Sequence, residues 1–301
     1  AGKTGYDVVV PSGSFLARQI KAGIFMKLDK SKLPNLTNMW PQVMERLSKY
    51  DPGNEHAVNY MWGTTGVGYN VKKIKEIMPD APIGSWKMVF DPAVVSKFKD
   101  CGVMMLDASD ETISSMLAYL GLNPDSKDPA DFKKAEEAFK KIRPFIRKFH
   151  SSEYINAMAN GDICLALGWS GDFSIANTRA EEKNKTITDE SKKVEISYFI
   201  PKEGANMWFD NLAIPADAKN VEEAYTFINY MMRPEVIAKC SNAVTYANGN
   251  LASQKLVDPA ILQNPNIYPD KDTQARLYTL SPYDKKAQRA LTDTWRNVKH
   301  G

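Results

Sequence analysis

Apolar and polar positions change their period repeatedly along the 301-residue chain, and each change marks a switch between strand and helix. Tyr6-Asp7-Val8-Val9-Val10 reads as a buried strand of β-branched residues, closed by Pro11-Ser12-Gly13-Ser14. Phe15, Leu16, Gln19, Ile20 and Phe25 then follow at the spacing of a short amphipathic helix, with Gly23 near its end. The pair forms a βα unit with a Ser-rich turn at the carboxyl end of the strand, a place ligands favour in open α/β sheets. Val103 to Asp107 predicts a second strand, and Ala108-Ser109-Asp110-Glu111 opens a helix continuing through Leu117 and Tyr119. Asp128-Pro129-Ala130-Asp131 is a strong helix start, after which Phe132, Ala135, Phe139 and Ile142 repeat at helical spacing up to Pro144. Tyr154, Met158 and the Asn160-Gly161 stop predict a shorter helix, and Ile163 to Leu167 a strand running directly into Gly168-Trp169.

Further along, residues 180–193 are so charged that they read as an exposed excursion, while Val194 to Ile200 alternates as a strand. Val221 to Met232 predicts a helix capped by Asn220 and ended by Arg233-Pro234. Residues 246–301 are broken by Asn-Gly and several prolines into short helical stretches that could pack across lobes. Tyr60-Met61-Trp62-Gly63-Thr64-Thr65-Gly66-Val67-Gly68-Tyr69-Asn70 suits an extended crossing between lobes, with glycines for close backbone approach. Trp208 to Pro215 is a second extended segment, expected to recross. The length favours two lobes over one. The expected division places residues 1–62 and 203–301 in a first lobe and 63–202 in a second.

Composition narrows the function classes. Hydrophobic residues make up 43% and charged residues 25%, the profile of an ordinary globular protein. With 39 basic against 36 acidic residues the net charge is +3, too balanced to indicate nucleic acid as a partner. No run of 18 apolar residues is present to form a membrane-spanning helix. The start Ala1-Gly2-Lys3-Thr4-Gly5 lacks an initiator Met, a charged region and an apolar region, so a signal peptide is absent or already removed. Cys101, Cys164 and Cys240 lie far apart without metal-type spacing, leaving open one disulfide or three buried thiols.

The most specific chemistry sits in Gly168-Trp169-Ser170-Gly171-Asp172 and Trp208-Phe209-Asp210, neither in a helix-like context. Each puts an indole within three residues of a carboxylate. Aromatic faces attract cations and stack on methylenes, and carboxylates accept charge-assisted hydrogen bonds from ammonium groups. That combination suits an extended organic cation. Both tryptophans could equally be core aromatics, Ser12 a simple helix cap, and Glu111 a helix-terminus charge. Catalytic readings fare worse. His56, His150 and His300 stand apart, so zinc is poorly supported. The glycine after Ser170 comes one position too soon for a nucleophile elbow, and no dinucleotide fingerprint or phosphate loop appears. Asp172, Asp210 and Glu111 could serve a carboxylate-dependent glycoside hydrolase, which remains the rival reading beside a receptor for another organic cation.

Tyr6-Asp7-Val8-Val9-Val10-Pro11-Ser12-Gly13-Ser14-Phe15, Tyr60 to Asn70, Cys101 to Asp107 and Gly168 to Asp172 together resemble the periplasmic polyamine-binding proteins of bacterial ABC importers, nearest the putrescine- and spermidine-binding branch. The resemblance continues through Asn248-Gly249-Asn250 and Ile267-Tyr268-Pro269 to Thr294-Trp295-Arg296. It implies an α/β, two-lobed periplasmic binding protein fold (type II) with hinged lobes around a central cleft. The function it implies is capture of spermidine or putrescine in the periplasm for a membrane permease, by a monomer without enzymatic activity, cofactor or metal. It implies a ligand contact for Ser12, a carboxylate for one amine at Glu111, the ring and carboxylate of a Trp-x-x-Asp segment at Trp169 and Asp172, a stacking aromatic at Trp208, a central carboxylate at Asp210 and a cleft-wall aromatic at Tyr246. It also implies that Cys101 and Cys164 could pair, leaving Cys240 the odd one out. Trp208 offers a larger face than the phenylalanine of some putrescine-type relatives, which leans toward spermidine or dual binding. The resemblance further implies an opening strand and helix with an aromatic-Ser-Asp segment, which the 301 residues lack, so the natural opening segment is expected to be missing.

Overall fold

The computed structural model describes residues 5–300, so most of the opening stretch Ala1 to Gly5 lies outside the described residues. The chain divides into two compact units. The first takes the chain through Gly63 together with Trp208–Tyr268; the second takes Thr64–Met207 and the chain from Pro269 on. Among the described residues the strands are β1 (Ala57–Asn70), β2 (Val103–Met105), β3 (Lys148–Phe149), β4 (Leu165–Trp169), β5 (Ile196–Phe199), β6 (Ala205–Ala213), β7 (Ala247–Asn248) and β8 (Leu277–Tyr278). The boundaries at Gly63 and Met207 fall inside β1 and β6, the two segments expected to be extended crossings.

In the second unit, β2 runs parallel to β3 and β4, with Val103 opposite Leu165 and Met104 opposite both Ala166 and Lys148. Thr65 to Tyr69 of β1 lie antiparallel to β4, and Val67 to Asn70 antiparallel to β5. Ala205 and Asn206 pair in parallel with Leu277 and Tyr278. Every residue of β2 and all but Trp169 of β4 are buried, as parallel strands covered on both faces require. Helices Ser109–Tyr119, Pro129–Ile142 and Lys285–His300 contribute to the core through Met116, Phe132, Phe139, Leu291 and Trp295. The β1 glycines admit aromatic rings against the strand. A Cβ on Gly68 would lie 2.0 Å from the Phe173 ring, and one on Gly66 2.4 Å from the Tyr198 hydroxyl. The two rings stack at 5.4 Å and 20°. Cys101 and Cys164 form a disulfide across 63 residues, with a Cα separation of 5.6 Å, whereas Cys240 of the first unit is a free thiol.

In the first unit, Met61 and Trp62 of β1 pair with Asn248 and Ala247. Leu33, Val58, Leu212, Ile214, Ala224 and Ile228 are among its core, to which helix Val221–Met231 brings its apolar face. Residues 6–10 depart from the expected buried strand. Val9 makes a bridge to Ala213 with bonds of 3.0 Å in each direction, but Tyr6 is 66% and Val10 50% exposed. The pairing consists of separate bridges to β6 at Val9 and Ser12, with Pro11 able only to accept, so no regular covered strand forms.

One capping expectation also shifts. Asn220 occupies the N-cap position, but its side chain makes no cap bond and instead donates to Asp7 Oδ2 at 2.7 Å. Ahead of helix Glu153–Asn160, His150 Nδ1 accepts from the Ser152 and Glu153 amides at 3.2 and 3.1 Å, so the histidine rather than the serine closes that terminus. The domain expectation differs from the two units in three places, the first being Gly63, which falls with the first unit rather than the second. Residues 203–207 and 269–301 belong with the second unit, not the first. The reason is packing: Trp295 lies edge-on to Phe139 and Phe149 at 6.4 and 5.1 Å, and its Nε1 donates to Asp107 at 2.8 Å. The charged stretch 180–193 is partly helical, since helix Ser170–Asn184 continues into it.

Candidate functional site

Each unit assembles its own set of the expected residues. In the second, Glu111 sits in the first turn of helix Ser109–Tyr119, where acidic side chains offset the helix dipole. Its carboxylate does more than that. Glu111 Oε2 accepts from Thr65 Oγ1, from Trp169 Nε1 at 3.0 Å and from Asn206 Nδ2 at 3.4 Å. All three donors are neutral, and no Lys or Arg is ion-paired with Glu111 among the described residues. Burial, and next the charge of Asp110, push the carboxyl up to about 7 against the pull of those donors.

Trp169 ends β4 and N-caps helix Ser170–Asn184, so Ser170-Gly171-Asp172 is helical, contrary to the expected extended context. The physical reason is the acid itself: Asp172 in the first turn is a favourable helix opening. Its Oδ2 accepts from the Tyr154 hydroxyl at 2.5 Å, and that hydroxyl in turn accepts from the Trp169 amide at 3.2 Å. Burial, reinforced by Asp172, drives the Tyr154 phenol far above its ordinary range. It therefore remains a donor, holding the carboxylate in place. Gly168 makes room: a Cβ there would lie 2.7 Å from the Tyr154 ring and 2.8 Å from Phe173.

In the first unit, Ser12 Oγ donates to Asp210 Oδ1 at 2.7 Å, across the bridge that pairs the Ser-rich turn with β6. Burial raises the Asp210 carboxyl while the Ser12 bond lowers it, and the balance stays upward. Asp210, too, has no Lys or Arg ion pair among the described residues. Trp208 and Tyr246 pack edge-to-face at 5.2 Å and 68°. Trp208 Nε1 is buried without a partner among the described residues. Asn59 braces this part of β6, donating to the Asp210 carbonyl at 3.2 Å and to Asn211 Oδ1 at 3.3 Å. The Tyr60 phenol is pushed up to about 12 by burial, then by Cys240 and Asp210.

The structure thus joins Ser12 to Asp210 and Trp208 to Tyr246 in one unit, and Glu111 to Trp169 and Trp169 through Tyr154 to Asp172 in the other. Thr65, Tyr154, Asn206 and Asn59 escaped sequence reasoning. Thr65 lay inside a run read for its glycines, Tyr154 inside a helical apolar period, and no short spacing ties either to its carboxylate. Among the described residues there is no group of three His, Cys, Asp or Glu placed to hold a metal ion, and no helix long and apolar enough to cross a membrane.

Residues 1–269 match the family model described as bacterial extracellular solute-binding protein. The chain is 50% identical over its whole length to the putrescine-binding periplasmic protein SpuD of Pseudomonas aeruginosa, of which it spans 80%. It is 48% identical to the putrescine-binding periplasmic protein PotF of Escherichia coli, again over its whole length and 80% of that protein. Among solved structures, a putative spermidine/putrescine ABC transporter protein from Listeria monocytogenes superposes with a TM-score of 0.84 at 28% identity, covering 99% of this chain and 85% of that one.

Proposed function

The chain belongs to the bacterial extracellular solute-binding proteins, as a periplasmic polyamine-binding member with the type II α/β fold serving an ABC importer, and from that membership we propose how its residues hold a polyamine. The family consists of transport receptors rather than enzymes, and nothing in the chain's geometry favours the glycoside-hydrolase reading.

One observation carries the proposal. Glu111 and Asp210 are carboxylates whose burial raises their pKa, hydrogen-bonded to neutral groups and neutralised by no Lys or Arg among the described residues. A buried carboxylate is unfavourable unless a cation joins it. A protonated polyamine supplies that cation, and its methylenes supply apolar surface for Trp169, Trp208 and Tyr246. In this reading Glu111 and Asp172 take an ammonium in the second unit and Asp210 takes one in the first, with Ser12 orienting Asp210. Binding involves no covalent step. The receptor acts as a monomer and delivers its ligand to a membrane permease. Putrescine is the ligand for which the two relatives sharing about half of the sequence are named. The broad face of Trp208 suits spermidine as well.

Titration calorimetry of ligand-stripped protein with putrescine, spermidine and a neutral sugar tests the reading. Amine binding without sugar binding is expected, and the amine affinities rank the ligands. A folded chain that binds neither amine overturns it.

A further inference from the structure

We infer that Asn206 is a further ligand-seating residue of this receptor, its side-chain oxygen joining the Glu111 carboxylate as acceptors for one primary ammonium group. The inference rests on the polyamine reading above and deepens it.

Asn206 is only 3% exposed, and its two amide halves fare differently. Nδ2 lies 3.4 Å from Glu111 Oε2, while Oδ1 is buried with no partner among the described residues. Chemistry dictates this orientation, because only the NH2 half can donate to a carboxylate, so the oxygen faces elsewhere. A buried amide oxygen without a donor forfeits its hydration and gains nothing in return. Glu111 is in the complementary condition: three neutral donors surround it and no Lys or Arg among the described residues is ion-paired with it. One group that satisfies both is a donor-rich cation. A primary ammonium carries three N–H donors and no acceptor, so it can serve a carboxylate and an amide oxygen at once. A water molecule would supply donors without the charge.

Register supports the assignment. Asn206, Trp208 and Asp210 stand at positions i, i+2 and i+4 of β6 and therefore share one face of that strand, while Ala205, Met207 and Phe209 occupy the other. An asparagine is a poor strand former, and one whose buried side-chain oxygen has no partner among the described residues needs a compensating role.

The test separates the acceptor from the donor half of the amide. Asn206→Leu keeps the volume and removes both; Asn206→Asp keeps the acceptor and removes the donor to Glu111. Calorimetry with putrescine at pH 8, with cooperative thermal unfolding as the folding control, is expected to show about a 10- to 100-fold affinity loss for the leucine variant. The aspartate variant is expected to stay within a few-fold of wild type. Asn206→Ala serves the same purpose should leucine not be accommodated. Two results overturn the inference: an apolar variant that binds within twofold of wild type, or an aspartate variant that loses as much as leucine, which would mean the side chain only positions Glu111. Wild-type protein that binds no polyamine would instead overturn the receptor reading itself, and this inference with it.

Discussion

Burial and the neighbouring Asp110 lift the Glu111 carboxyl to about 7, so near neutral pH the ligand-free protein holds a proton there on an appreciable share of its molecules. An ammonium at that carboxylate favours the ionised form. Polyamine binding near pH 7 should therefore release a fraction of a proton, and less as the pH rises further. Calorimetry in buffers of different ionisation enthalpy reads this directly, and heats independent of the buffer would remove Glu111 from the site. The sign for folding runs the other way. Because the folded pKa lies above the ordinary 4.5, this group makes the ligand-free protein less stable as pH climbs from about 4.5 through about 7. Asp210 allows a sharper test. Asp210→Asn keeps the shape and the Ser12 contact while removing the charge, and should weaken putrescine and spermidine binding by about 10- to 100-fold. Titration showing unchanged affinity for both would sink the assignment of Asp210.

At the scale of elements, β1 explains why a strand carries so many small residues. Gly66 and Gly68 let Tyr198 and Phe173 lie directly on its backbone, and Thr65, just ahead of them, reaches Glu111. Close backbone approach was legible from the glycines; the identity of the approaching rings was not, because they come from segments more than a hundred residues away. The disulfide is the other long-range tie. It joins Cys101, just ahead of β2, to Cys164, just ahead of β4, and closes a loop of 63 residues. In the chain-entropy picture a loop of that size constrains the unfolded state by about 4 kcal/mol. Replacing both cysteines by serine should lower the unfolding free energy by about 2–4 kcal/mol in a denaturant titration. Equal midpoints for the oxidised protein and the double variant would show that the bond adds nothing to stability.

For the whole molecule, binding to the folded state alone must raise its stability. Putrescine at 100 times its dissociation constant should add about 2.7 kcal/mol. A thermal melt should then shift upward by several degrees with putrescine and not at all with a neutral sugar. No shift under saturating amine would contradict the receptor assignment. The chain's division into units also belongs to this scale. The expected first lobe included residues 269–301, yet Leu291, Trp295 and Val298 join the core of the second unit. Local pattern announces an amphipathic helix but does not say which apolar surface will receive it.

The sequence by itself determined the class and the chemistry. Alternating periods marked an α/β chain, caps such as Asp128-Pro129 placed helices, and paired indoles and carboxylates in two short segments suited an organic cation, the ligand class that the family resemblance implied. These features are local, and hydrophobic period, capping and side-chain chemistry act over a few residues. Only the tertiary structure decided which side chains share a neighbourhood. It put Tyr154 on Asp172, Thr65 and Asn206 on Glu111, and Ser12 on Asp210, over separations of 18 to 198 residues. It also turned the expected strand at residues 6–10 into isolated bridges. Desolvation depends on what the rest of the chain packs around a group, so the raised carboxyls of Glu111 and Asp210 exist only once the fold has formed.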